Sequence, residues 1–530
     1  MQIVRIGDGS NKVHRPETVG GKAANLAHMA ALGLPVPPAF VLPIKLCAAI
    51  VEGDALAGHN LIAGLRDGIA FLEQATGKTF GSRRNPLLVS VRSGAARSMP
   101  GMLDTVVDVG CTLEAVHGLT RMSGNPRFAW DCRRRFLESY SHVVLGLEPA
   151  LLERPLAQIA ANEGAAGEQA LDSEAMERLA HTQQQAIEDE GETAPDAAME
   201  QLEAAAQAVY RSWTSERART YRRLQHLDDL QGTAVTVQAM VFGNGGGNSG
   251  AGVAFSRDPS TGAATPVIEV LFGAQGEDVV SGNRTPETEA AIERRLPAVA
   301  AQLRETLALL ERAFADVQDV EFTIENGKLW LLQTRAAKRT PLAALRLAID
   351  FVHEGQITPA EGLQRLDAID LAKLARQTLA DVPEAAAHGT AASAGIAVGR
   401  AAFDAASAER LAGRGEPVIL VRRDTSTADV AGFAVSAGIV TAVGGRTAHA
   451  ALVARQMGKP CVVGCIGLEV DSAGHGARLA GAAIKEGDWL SIDGEAGAIY
   501  RGRGKIVVEK PDAELAEIAR WHDATRKQSA

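Results

Sequence analysis

Residues 438–464 read GIVTAVGGRTAHAALVARQMGKPCVVG, and the order of residue types in that stretch sets the local fold. An apolar β-type run from Gly438 to Val443 stops at Gly444-Gly445, and an alanine-rich helical run follows. Thr447 stands where it can cap that helix. His449 then falls in the first helical turn, where unpaired backbone N–H groups and the positive end of the helix dipole favour an anion. A neutral imidazole nitrogen is a competent nucleophile towards phosphorus, and those donors would stabilise the resulting phosphoimidazole. On these residues alone, a surface histidine beside a helix start is the commoner outcome. The pattern marks a candidate and no more.

Working outward, residues 389–510 alternate β runs (PVILVR, GIVTAV, CVVG, DWLSIDG) with glycine turns and helical stretches, the pattern of a compact α/β domain. Upstream, 341–388 reads as a helical stretch leading into the small-residue segment HGTAASAG, a linker between two folded units. Downstream, AELAEIARWHDATRKQSA reads as one amphipathic helix with a polar tail. Residues 1–340 mix strands with glycine-rich turns. LLVSVRSGAA, TAVTVQAMVFG and VEFTIENGKLWLLQTR are the clearest strands, the last a hairpin turning at Asn326-Gly327. Between about 150 and 228 the composition shifts to Ala, Glu and Gln at helical spacing, predicting surface-packed helices or a partly mobile insertion.

With 530 residues the chain exceeds a single core, so two to four domains are expected. The net charge of -10 argues against nucleic acid or an anionic membrane as partner. The 5 cysteines are scattered, and no second pair or histidine cluster joins Cys461 and Cys465 into a zinc site. The N-terminal MQIVRIGDGS lacks a basic segment before an apolar one, and no apolar run is long enough to span a membrane. Those features lead us to expect a cytoplasmic protein.

Three stretches of the first 340 residues carry phosphate-type chemistry. In VGGKAANLAHMAALGLPVPPAF (19–40) two glycines permit close backbone approach, and Lys22 precedes a helix where a cation can meet phosphate. It is not a P-loop, because the four-residue spacing and the following Ser/Thr are missing. In VSVRSGAARSMPGMLDTVVDVG (89–110) Arg92 ends a strand before a loop with Arg97 and a Pro100-Gly101-Met102 turn, able to fold over a polyphosphate. In DVEFTIENGKLWLLQTR (319–335) Asp319 and Glu321 lie two apart on one strand and share a face, as do Gln333 and Arg335 on the returning strand. Their hard oxygen atoms suit Mg²⁺, and Arg335 suits phosphate.

The run GGRTAHAALVAR followed by GKPCVVG resembles the phosphohistidine signature of the phosphoenolpyruvate-utilising enzymes. Over about residues 1–510 the chain is similar to the pyruvate phosphate dikinases. The resemblance implies that His449 is the phosphorylated residue and that Thr447 bonds the phosphoryl oxygens. Arg446 is the residue of the synthase branch, where dikinases usually carry methionine. By the same resemblance Lys22 and Arg92 contact ATP phosphates, with Arg92 also catalytic, under a loop containing Gly101 and Met102. Gln238, Met240 and Val241, from VTVQAMVFG, would lie beside the adenine. Glu269 is the expected ribose or hinge contact, and Gln275 belongs to the pocket wall. Asp319, Glu321, Gln333 and Arg335 complete the nucleotide site, with Glu321 and Gln333 as magnesium ligands. Arg135, in WDCRRRFLES, is a candidate for inorganic phosphate or the β-phosphate.

The implied architecture is a multidomain α/β and α+β chain: an ATP-grasp nucleotide-binding domain over 1–340, a helical linker over 341–388, a swivelling α/β phosphohistidine domain over 389–510, and a C-terminal helix and tail over 511–530. The family's phosphoenolpyruvate/pyruvate-binding barrel would follow the last helix and is not among these residues. The implied function is therefore autophosphorylation of His449 by ATP with Mg²⁺ and inorganic phosphate. The phosphoryl group would pass to an acceptor site on another chain, such as a separate barrel protein. Two alternatives stay open: a phosphotransferase for another small acceptor, of the rifampicin phosphotransferase kind, and a phosphohistidine regulatory or binding protein.

Overall fold

A computed structural model of the chain describes residues 3–529 apart from 11, 98, 100–101, 166, 282–283, 426–428, 447 and 472–475, with no side chains described at 280–281 and 525–529. Gly101 and Thr447, both expected site residues, lie outside the described residues. Two compact units result: Met1–Ser249 with Thr323–Thr334, and Gly250–Phe322 with Arg335–Ala530. The division passes through the 318–336 hairpin, whose tip belongs to the first unit.

The first unit is built on a five-stranded sheet in the order Val4–Ile6, Ala39–Leu42, Thr233–Ala239, Val89–Ala95, Thr105–Val109, with every neighbouring pair antiparallel. Thr233–Ala239 is buried at all its positions, its polar Thr233, Thr236 and Gln238 included. Helix Ala55–Thr76 covers the sheet; Asp54 caps it through the Ala57 N–H at 2.7 Å, and Gly77 ends it in the left-handed conformation.

Helices Ala150–Asn162, Ser173–Asp189, Ala198–Arg211 and Glu216–Leu224 occupy the 150–228 region. Ala150–Asn162 and Glu216–Leu224 are surface-packed, with one or two buried residues each, whereas Ser173–Asp189 and Ala198–Arg211 bury a whole face. Leu179, Leu202, Ala205 and Val209 are fully buried in the same core as Val89, Val91 and Val237. Ala175, Ala180, Ala205 and Ala206 of these two helices form the close-packing face of that core.

The second unit holds two sheets of interest. Gly250–Phe255 and Val267–Phe272 pair antiparallel, and Glu287–Thr288 adds to the outer edge. The Ser256 N–H donates to the Gln318 carbonyl at 3.0 Å, joining the base of the 318–336 hairpin to this sheet. The other sheet has eight strands, and at its centre Ile396–Ala402, Val418–Arg422, Gly438–Thr441 and Cys461–Val463 run parallel. Apolar clusters cover both faces of this sheet, as a parallel sheet requires.

Residues 376–380, expected within a helical stretch, instead form strand Arg376–Ala380, paired antiparallel with Lys505–Glu509. Helices Pro341–His353 and Pro359–Leu366 precede it, and the C-terminal helix Asp512–Ser529 packs on them through Ile518 and Trp521. All 5 cysteines are free and buried. Among the described residues no helix is long and apolar enough to cross a membrane.

Candidate functional site

In the first unit, Lys22, Arg92 and Gln238 line one small cavity with Ala23, Leu26, Thr236 and Leu332. Local sequence explains the convergence. Gly20 sits at φ 82°, ψ 153°, between the short helix Pro16–Val19 and helix Gly21–Ala31. A Cβ there would lie 2.1 Å from the Gly94 carbonyl oxygen, so only glycine lets the turn rest on the strand that carries Arg92. Lys22 then enters the first helical turn beside that strand, where the dipole also favours anions.

Further along, the Gln238 amide donates to the Pro37 carbonyl at 3.2 Å. The Met240 N–H is engaged by the Leu88 carbonyl at 2.9 Å, and Val241 is buried. A base edge in this segment would therefore be read by other backbone groups than the Met240 N–H. Met102 is half-buried, with its N–H on the Met99 carbonyl.

Arg135 does not face an open anion site. It is 7% exposed and its Nε donates to Asp131 at 3.1 Å, while Arg134 takes the other Asp131 oxygen at 2.7 Å. Against the cost of burial, Arg134 and Arg135 hold the Asp131 carboxyl well below the usual carboxylate range. Arg134 and Arg135 thus build an internal ion cluster with Asp131 at i,i+3 and i,i+4 helical spacing; the spacing is local, but its burial is not.

The hairpin turns where expected, with Asn326 at φ 50° and Gly327 at φ 77°, both in the left-handed region that suits a tight two-residue turn. Within the second unit, Asp319 Oδ2 accepts from Arg335 Nε at 2.8 Å. Burial pushes the Asp319 carboxyl above its ordinary value, against the opposing pull of Arg335. Its Oδ1 is buried without a hydrogen-bond partner among the described residues. Glu321 follows two positions on, and Gln333, on the returning strand, is 5% exposed. No group of three His, Cys, Asp or Glu side chains converges among the described residues. Gln275 is buried, with its N–H on Asp278 at 2.8 Å.

His449 is the first residue of helix His449–Gln456, in the anion-favouring turn that the sequence predicts. The expected cap is different, however. Ala448 holds the N-cap position at φ -60°, ψ 155°, and no side chain caps the helix. The orphan N–H groups of the first turn thus lack a side-chain cap.

The His449 ring is oriented from outside its helix. Its Nδ1 lies 3.1 Å from Thr425 Oγ1, and the Phe433 ring meets it edge-on at 6.0 Å. With the proton on Nδ1, Thr425 accepts it and Nε2 keeps its lone pair for attack. Burial holds the imidazole below its ordinary value of 6.5, against the opposing pull of Asp429. The neutral, nucleophilic form is thereby favoured at neutral pH.

The sign of that shift gives a test. Protonation ties up the ring lone pair, so a nucleophilic reaction of the His449 ring should keep its rate as pH falls to about 6.5 and decline only below it. A pH profile of histidine labelling whose acid limb lies above the free-imidazole value would contradict this environment for His449.

Thr425, Asp429 and Phe433 were not among the expected residues. A signal existed: Val418–Arg422 and Gly438–Thr441 are neighbouring parallel strands, in register from Ile419↔Gly438 to Arg422↔Thr441. Loops leaving the C-terminal ends of adjacent parallel strands emerge side by side, the usual place for a ligand in such a sheet. Glu269, expected at a ribose, has its carboxylate on the His449 loop. Both its oxygens accept the Arg446 backbone N–H, at 2.7 and 2.9 Å.

Comparison with known proteins bears on both halves. Residues 54–306 match the family pattern described as pyruvate phosphate dikinase, AMP/ATP-binding domain, and residues 414–497 match that of the PEP-utilising enzyme, mobile domain. The chain is 40% identical over 540 residues to a pyruvate, phosphate dikinase of Rhizobium meliloti, covering 99% of this chain and 60% of that protein. It is 39% identical over 534 residues to pyruvate, phosphate dikinase 2 of Zea mays, covering 99% and 60%. With the pyruvate, phosphate dikinase of Clostridium symbiosum the identity is 40% over 514 residues, covering 96% and 59%. The chain thus spans about 60% of the length of the curated relatives it matches.

Proposed function

We propose, from the premise that this chain carries the nucleotide-binding and mobile domains of the pyruvate phosphate dikinase family, that it transfers a phosphoryl group from ATP to His449. The observation that carries this reading is His449 itself: a neutral imidazole at a helix start, anchored through Nδ1 by Thr425. Its other ring nitrogen is left to attack phosphorus, and the first-turn N–H groups suit the anion that forms.

On this reading Lys22 and Arg92 neutralise the polyphosphate, and Gln238 lies on the wall of the same cavity. The β-phosphoryl group reaches His449, the γ-phosphoryl group goes to inorganic phosphate, and AMP and pyrophosphate leave. The phosphorylated histidine then gives its group to an acceptor bound outside residues 1–530, and the names of the relatives suggest pyruvate. The segment 341–388 is the swivel between the two stations. Five free buried cysteines suit a reducing, cytoplasmic setting.

Donor chemistry supports Mg²⁺ as the ion, since carboxylate and amide oxygens are hard ligands. Asp319 keeps a buried oxygen without a hydrogen bond, and Glu321 and Gln333 supply hard oxygen atoms. Glu321 and Gln333 would hold the ion, which would neutralise charge on the transferring group. Glu321→Ala should lose Mg²⁺-dependent labelling of the protein by at least about 100-fold; a rate equal to wild type would remove Glu321 from the site.

The test is incubation of the pure protein with Mg²⁺ and ATP labelled separately at the β and γ positions, with and without phosphate. Label from the β position, with AMP and pyrophosphate released only when phosphate is present, supports the dikinase half-reaction. Phosphate-independent β-labelling points to the synthase or antibiotic-phosphotransferase type of chemistry. Absence of any label moves the weight to a binding or regulatory role. An acceptor domain hidden in 150–228 is disfavoured, because those helices share the core of the nucleotide-side sheet.

A further inference from the structure

The loop that presents His449 is fastened at its base to two acidic residues far away in sequence. Arg446 Nη1 is 3.0 Å from Asp258 Oδ2, with the two side chains 15% and 16% exposed. The Arg446 N–H is held by both oxygens of Glu269, itself 6% exposed. The Arg446 carbonyl accepts from Arg455 Nη2, while Arg455 Nη1 holds the Ala392 carbonyl at 2.7 Å. Every polar group of Arg446 named here, backbone and side chain, is engaged by a partner of the second unit.

The acidic side of this contact is built in advance. Asp258 Oδ1 accepts the Ser260 and Thr261 N–H groups at 2.7 and 3.2 Å, which turns Oδ2 towards Arg446. The surfaces also match in shape. A Cβ on Gly445 would lie 2.7 Å from both Glu269 Oε2 and Pro286 Cγ, and one on Gly464 would lie 3.0 Å from Thr285 Cγ2. Gly445 on the histidine side thus allows a close approach to Glu269 and Pro286 that a side chain would obstruct, whereas Gly464 is constrained first by the Gly444 carbonyl oxygen, 2.5 Å from an added Cβ.

We infer that Arg446 is a positioning residue: through Asp258 and Glu269 it latches the His449 loop in one docked position, three residues from the reacting ring. A charge-assisted, largely desolvated pair fixes register more firmly than apolar contact alone, and it can still release when the loop must leave. Breaking the latch leaves Lys22, Arg92 and Gln238 untouched, so nucleotide affinity should hold while the rate of transfer falls. The inference rests on the phosphocarrier reading for its kinetic consequence, but the contact itself can be tested without ATP.

Arg446→Met removes the charge and keeps an unbranched apolar chain; Arg446→Lys keeps the charge. In rapid-quench labelling from β-labelled ATP with Mg²⁺, R446M should be slowed by about 10- to 100-fold at unchanged nucleotide affinity, the scale of a small misplacement of a reacting group. R446K should recover most of the rate. Separately, R446K treated with a water-soluble carbodiimide without nucleotide should give a zero-length cross-link from position 446 to Asp258 or Glu269, read by peptide mass mapping. R446M at the wild-type rate, or R446K as slow as R446M, overturns the positioning role; a missing cross-link overturns the contact. If the wild-type protein takes no label, the phosphocarrier reading falls, and the cross-link alone decides whether the latch exists.

Discussion

His449→Ala abolishes incorporation of acid-labile label from ATP while leaving nucleotide binding within about twofold of wild type; this is the largest effect expected of any single substitution here. The argument is chemical. His449 is the one imidazole in the described loops around the 418–422 and 438–441 strand ends, and its ring is held by Thr425 and Phe433. Alanine removes the nucleophile and offers nothing in its place. Alanine is also a strong helix former, so the helix should persist. Lys22, Arg92 and Gln238 belong to the other unit and keep their cavity. The measurement is labelling by β-labelled ATP beside equilibrium nucleotide binding. Persistent acid-labile label in the variant would remove His449 as the carrier.

The second large effect is on folding. Gly20→Ala should destabilise the first unit by about 3–5 kcal/mol, combining a glycine-only backbone conformation with a clash that no rotamer relieves. The neighbour is the Gly94 carbonyl oxygen at 2.1 Å from the new Cβ, and that backbone belongs to the strand carrying Arg92. Separation of the turn from the strand would carry Lys22 away as well, so ATP binding should fall along with stability. Gly33→Ala isolates the cause. Gly33 has φ 76° but nothing within 4 Å of an added methyl, so the change should cost only about 1 kcal/mol. Thermal melting of the two variants, read beside ATP affinity, checks both parts. Equal melting temperatures would show that the close approach to Gly94 is not limiting.

Much of the chain was legible because its signals are local. Alternation and turn chemistry place the 318–336 hairpin, down to the two positive φ angles at Asn326 and Gly327. The change from apolar run to glycine pair to alanine-rich run places His449 at a helix start. Gly-Gly before Lys22 marks a close backbone approach, and the structure supplies its partner at Gly94. Where reading failed, the cause was also local evidence taken too far. Helical spacing over 150–228 says that helices form but not what they bury, and the small residues of Ser173–Asp189 and Ala198–Arg211 face the main core. Residues 376–380 look like the end of a helical stretch, yet they pair with 505–509, more than a hundred residues on.

By itself the sequence determined the α/β character of the chain, the strand–glycine–helix setting of His449, the hairpin that carries Asp319, Glu321, Gln333 and Arg335, and the glycine turn before Lys22. Each follows from backbone preference and burial period, which act over a few residues. Only the tertiary structure decided which polar groups meet. Thr425 reaches His449 because two parallel strands end side by side. The i,i+4 spacing of Asp131 and Arg135 is local, but only the fold buries that helix face and turns the pair inward. Arg446 finds Glu269 and Asp258 across separations of 177 and 188 residues. Charge pairing is long in sequence and short in space, and desolvation makes each such pair depend on everything packed around it. No local pattern encodes that, so the partners of the site's charges appear only once the chain is folded.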